Sequence, residues 1–77
     1  MNTFIREVFL FRVRAFGGSI QSARALGISR AYVDMIAKGD RRPGMRTAYA
    51  IERVFGIPMK AWLEPEAFAD MFSSPSP

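Results

Sequence analysis

The chain contains no cysteine and no histidine. Without cysteine there is no disulfide staple and no thiolate metal site. Without histidine the commonest metal ligand and the commonest general base are both missing. The few carboxylates are not paired in an apolar setting, so neither an enzyme, nor a cofactor, nor a metal site is expected. No apolar run approaches the length that crosses a bilayer. Arg6, Glu7, Arg12 and Arg14 interrupt the apolar N-terminal segment, which argues against a signal peptide. No period-two alternation marks a strand, and no segment repeats.

What is present is an apolar, basic chain of 77 residues. That length is one domain with a modest core and little stability to spare. Hydrophobic residues make up 49% of it, so it is globular rather than disordered. Residues 1–60 hold all eleven Lys and Arg against four carboxylates, whereas residues 61–77 hold three carboxylates and no cation. A basic body with an acidic end points to a polyanionic partner for the body.

The periodicity predicts an all-α domain over residues 1–72, with a Ser/Pro tail at 73–77 expected to be disordered. Asn2 or Thr3 caps a first helix that runs to about Ala15. This helix is apolar over much of its circumference, and Leu10 and Val13 are read as lying outside its main stripe, free to meet something beyond the domain. Gly17-Gly18 breaks the chain and Ser19 caps a second helix, with Ile20, Ala23 and Leu26 on its inner face. Gly27 ends that helix, Ile28 plugs the turn, and Ser29 caps a third helix running to about Lys38, with Val33, Ile36 and Ala37 inward. A fourth helix follows Pro43 and ends at Gly56, with Ala48, Ile51 and Phe55 inward. Pro58 opens a short fifth helix with Met59, Trp62 and Leu63 as core candidates, and Pro65 opens a last weak helix.

The stretch from 23 to 43, ARALGISRAYVDMIAKGDRRP, carries most of the functional information. A short helix that is capped, preceded by a tight turn and followed by cations is what entry into a DNA groove requires. The landmarks Ala23, Gly27, Ile28, Ser29, Val33, Ile36, Gly39, Pro43, Ile51, Gly56 and Ile57 resemble the helix-turn-helix of the Cro and lambda-repressor-like family, also called the XRE family. The similarity covers roughly residues 12–63. The segment AIERVFGIPMKAWLEP, residues 50–65, is also similar to YdaS-like and Cro-like prophage regulators. The resemblance implies a compact five-helix DNA-binding domain, here with a short extra C-terminal helix. Three positions depart from the family pattern. Ser19 stands where the family usually has a glutamine that donates to a phosphate, and Ser22 replaces a usual leucine. Ala37 replaces a glutamate that pairs with an arginine of the first helix, so Arg12 is expected to turn to Glu52, the acidic tail or solvent.

A helix in the major groove presents its first turn to base edges. Arg30 is therefore the expected main reader, able to bond the O6 and N7 of guanine with parallel hydrogen bonds. Ala31 and Tyr32 are placed to touch a thymine methyl, with a phosphate as the alternative for Tyr32. Asp34 is placed to accept from cytosine N4 or to repel phosphate, and Met35 to fit a base edge or a dimer core. Ser19, Ser29, Lys38, Arg41, Arg42 and Arg46 are the expected phosphate contacts, setting affinity and orientation without reading sequence. Leu10, Val13, Phe68, Met71 and Phe72 are the candidate dimer interface. The expected function is a sequence-specific regulator of double-stranded DNA, a dimeric repressor on a palindromic operator in a phage, prophage or toxin–antitoxin setting. It is expected in the cytoplasm, at the nucleoid. The alternative is an antitoxin-like module that grips a protein partner through the first and last helices.

Overall fold

A computed structural model describes residues 3–67, and among these there are α-helices and no strand. The elements are α1 (Thr3–Ala15), α2 (Ser19–Leu26), α3 (Arg30–Lys38), α4 (Met45–Phe55) and α5 (Lys60–Leu63), and residues 65–67 are again helical. This is the expected all-α architecture. Among the described residues no helix is long and apolar enough to cross a membrane.

One core joins all five helices. Ile5 and Phe9 of α1, Val33 and Ile36 of α3 and Ile51 of α4 are wholly buried. Leu26 of α2, Phe55 of α4 and Trp62 of α5 close around them. Phe9 is the hub. Its ring meets Phe55 edge-on at 5.8 Å between centroids and Trp62 at 5.7 Å, the T-shaped geometry that aromatic quadrupoles favour. The short α5 is thus held by a side chain near the other end of the chain, since four residues cannot sustain a helix unaided.

Several core expectations are corrected. Val13 is buried, not outward, because the chain reverses at Gly17 and Gly18 and lays α2 over the last turn of α1. In that reversal the Gly18 N–H donates to the Val13 carbonyl at 2.9 Å, and the Ser22 hydroxyl reaches the same oxygen at 3.5 Å. Val13 is therefore unavailable as an interface residue, while Leu10 stays half-buried. Phe68, Met71 and Phe72 lie outside the described residues. Ile20 is half exposed rather than inward, and Ser22 occupies the buried position on α2. Its hydroxyl finds a backbone acceptor there, which lets a small polar residue sit where a larger apolar one was expected. Leu63 is also exposed, since the consecutive buried Ala61 and Trp62 turn the next residue of α5 outward. Ser19 does not cap α2. That place belongs to Gly18, and Ser19 is the first residue of the helix.

Candidate nucleic-acid interface

The turn between α2 and α3 follows from three local residues. Gly27 takes a left-handed conformation with φ 73°, accessible to it without Cβ strain. Its N–H reaches the Arg24 carbonyl at 3.3 Å, and the Ile28 N–H reaches Ala23 at 3.1 Å, so the last carbonyls of α2 are satisfied. Ile28 packs against the core. Ser29, in extended conformation, caps α3 by accepting from the Tyr32 N–H at 3.1 Å. A serine hydroxyl that accepts still has its own proton to donate. Ser29 is exposed at the start of α3, so that proton is available to a phosphate oxygen.

Arg30 and Ala31, in the first turn of α3, are exposed, and Lys38 is exposed in its last turn. Asp34 and Met35 are half-buried one turn after them. Helical spacing places Arg30, Ala31, Asp34, Met35 and Lys38 along the outer side of one nine-residue helix, opposite the buried Val33 and Ile36. Such a helix is roughly 13 Å long, short enough to sit within one groove.

Tyr32, expected at a thymine methyl or a phosphate, also makes contacts within the domain. Its hydroxyl accepts from the Gly44 N–H at 3.0 Å and donates to the Arg42 carbonyl at 3.5 Å. The Arg41 guanidinium lies over its ring at 5.8 Å. Tyr32 thereby pins the basic loop that follows α3 alongside the helix, with Arg41 and Arg42 exposed. Nothing in the local pattern of either segment announces this bond, which joins residues ten and twelve apart.

The expected phosphate contacts do not form a single cluster. Tyr32 holds the loop of Arg41 and Arg42 through the Arg41 guanidinium and the Arg42 carbonyl. Lys38 is in the last turn of α3. Arg46 opens instead onto a shallow cleft of about 410 Å³ between α2 and α4, shared with Ala25, Tyr49 and Arg53. Ser19 donates its hydroxyl proton to Asp34 at 2.8 Å, which uses the proton a phosphate would need. Asp34 in turn lies 3.9 Å from Arg30 Nε.

Sequence reasoning missed Arg6. Its Nη1 donates to the Lys38 carbonyl at 2.7 Å and so ties α1 to the C-terminal end of α3. A cation at a helix C-terminus also complements the helix dipole. Arg12, for which a partner was sought, is exposed to solvent. Gly39 lies against Arg6. This glycine has φ 85°, and a Cβ built there would lie 2.5 Å from Arg6 Cδ, so a side chain at this position would force the arginine to shift.

Comparison with curated proteins finds no match, and neither does comparison with solved structures. The family described as helix-turn-helix matches residues 13–62, which span α2, the turn, α3, α4 and most of α5. With that match over most of the chain, and with a capped, outward-facing α3 after a glycine turn, the protein belongs to the XRE-type helix-turn-helix family of DNA-binding domains.

Proposed function

We propose that the protein is a sequence-specific transcriptional repressor that binds a palindromic operator as a homodimer, with α3 in the major groove. The observation that carries this reading is the first turn of α3. Ser29 caps it, Arg30 projects from it into solvent, and Tyr32 holds the basic residues Arg41 and Arg42 beside it. A base-reading cation flanked by phosphate-binding cations matches the division of labour in protein–DNA interfaces. Binding rather than catalysis is the proposed activity. Among the described residues no group of His, Cys, Asp or Glu is arranged to hold a metal ion.

The dimer is proposed because one helix-turn-helix reads too few base pairs to single out an operator in a genome. Two copies on a two-fold axis place their recognition helices about 34 Å apart, one helical turn of DNA. Exposed Met45 and Leu63, and the half-buried Leu10, supply apolar surface for a second copy. Selecting bound duplexes from a random pool with the full chain tests the proposal. The expected product is a two-fold symmetric motif with guanine in each half-site. A pool that stays random removes sequence-specific binding, and an asymmetric motif removes the dimer.

A second reading has an observation of its own. Phe11 is 68% exposed, Phe16 44% and Ile20 51%, between the second half of α1 and the start of α2. Large exposed apolar side chains suit a protein partner. An antitoxin-like module would use it to grip that partner. Co-purification of one stoichiometric protein, lost on Phe11→Ser, supports this reading. Retention of the partner by that variant argues against it.

A further inference from the structure

Asp34 stands between the two elements of the helix-turn-helix. One carboxylate oxygen accepts the Ser19 hydroxyl proton at 2.8 Å, which fixes it to the start of α2. The other faces Arg30 Nε at 3.9 Å, one turn back along α3. The carboxylate is partly withdrawn from solvent, its side chain 41% exposed against 65% for Arg30. An aspartate held in this way is poorly placed to seek a base edge, since one of its oxygens is already committed.

We propose that Asp34 is a positioning residue that aims Arg30 at its base pair, with Ser19 anchoring Asp34 in turn. The geometry at the guanidinium carries the inference. Asp34 faces the guanidinium at Nε, an atom apart from the Nη1–Nη2 pair, and that pair is the fork that can meet the paired acceptors of guanine. A free arginine side chain samples many rotamers, and restricting it before binding lowers the entropy lost on docking. The contribution to folding stability is small, because an exposed i, i+4 ion pair is weak in water. Its effect lies in specificity. Asp34 also sets a negative charge near phosphate, which disfavours registers in which Arg30 does not find guanine. The arrangement explains the departure at Ser19. Its short side chain and hydroxyl proton serve Asp34 rather than the DNA backbone.

This inference rests on Arg30 reading a base, and the experiment separates the two. The full-length protein and its Arg30→Ala, Asp34→Ala, Ser19→Ala and Arg30→Ala/Asp34→Ala variants are titrated with the selected duplex and with every single-base-pair variant of it. The Nε–H order parameter of Arg30 is measured by NMR in the free protein. Asp34→Ala should reduce the preference at the base pair that Arg30→Ala affects by roughly three- to tenfold, a part of what a bidentate pair supplies. Ser19→Ala should do the same more weakly. Asp34→Ala should change no preference further in the Arg30→Ala background, because a residue acting through another is not additive with it. The Nε–H order should fall in both single variants at positions 19 and 34. Absolute affinity for all duplexes rises when the carboxylate leaves, so the ratio between base pairs is the reading.

A changed preference at a different base pair makes Asp34 a reader in its own right and overturns the proposal. A uniform rise in affinity with unchanged ratios reduces Asp34 to a phosphate repellent and also overturns it. Unchanged Nε–H order overturns it without any DNA. If Arg30→Ala itself alters no preference, the reader assignment fails, and the order measurement still reports whether Asp34 holds Arg30.

Discussion

The first turn of α3 is fastened by its own neighbourhood, through the Ser29 cap and the Tyr32 bonds to the loop at 42–44, whereas its last turn is fastened by Arg6, 32 residues away. The first set of contacts joins residues three to twelve apart and shapes the surface that faces outward. The second crosses from α1 to α3 and fixes the backbone of the last turn to the domain, leaving the Lys38 side chain exposed. The difference teaches that one short helix divides its duties. Its N-terminal end is organised for contact, and its C-terminal end is organised for attachment to the domain. Changes at the first end should alter binding, and changes at the second should alter melting.

Salt gives the largest expected effect and tests the contact end as a whole. A dimer that neutralises roughly six to ten phosphates should lose about 10³- to 10⁵-fold in affinity between 50 and 200 mM salt. Titration by fluorescence anisotropy at several salt concentrations reads the slope, and a flat response would remove DNA as the partner.

Gly39→Ala tests the attachment end. A left-handed non-glycine residue costs about 1–2 kcal/mol, and the new Cβ also displaces Arg6 from the Lys38 carbonyl, for a total of roughly 2–3 kcal/mol. In a domain of this size that lowers Tm by about 10–20 °C. Calorimetry reads the shift. Below the new transition the protein should keep the wild-type base preference. A variant that melts normally but prefers a different operator would break the division between the two ends.

Arg30→Ala and Arg42→Ala separate reading from clamping within the contact end. The first should cost about 1–3 kcal/mol on the best site and relax one base pair. The second should weaken all sequences alike and reduce the salt slope by about one. Neither should move Tm appreciably, because both side chains are exposed. Identical behaviour of the two would withdraw Arg30 as a reader.

Tyr32→Phe gives the smallest effect and sharpens the comparison most. It removes the hydroxyl that joins Gly44 and Arg42 while leaving the ring under Arg41. The expected loss is about 1 kcal/mol, felt as uniformly weaker binding with the base preference intact and faster amide exchange at Gly44. Exchange that stays slow in this variant would show that the loop is held by other contacts.

The capping and turn residues around α3 were legible from the chain because their physics is local. Ser29 precedes a helical period and accepts from a backbone N–H three residues on, and Gly27 and Gly39 adopt conformations that other residues resist. The basic loop was legible for the same reason, since Arg41, Arg42 and Pro43 are adjacent in sequence. Val13, Ile20 and Leu63 were misassigned because periodicity gives the faces of a helix without saying which neighbour covers them. Val13 is buried only because the Gly17-Gly18 reversal folds α2 back onto it, and Leu63 is exposed only because α5 spends its inner face on Ala61 and Trp62.

By itself the sequence determined that the protein is all-α, where its turns fall, that α3 is a short capped helix and that cations follow it. Each of these depends on backbone preferences and hydrogen bonds reaching only a few residues. The tertiary structure alone decided that Arg6 rather than Arg12 ties α1 to α3, that Tyr32 pins the basic loop, and that Ser19 and Asp34 meet. Those contacts form where the burial of Phe9, Ile36 and Ile51 brings helices together, and a side-chain hydrogen bond between elements exists only once the core has set the distance between them.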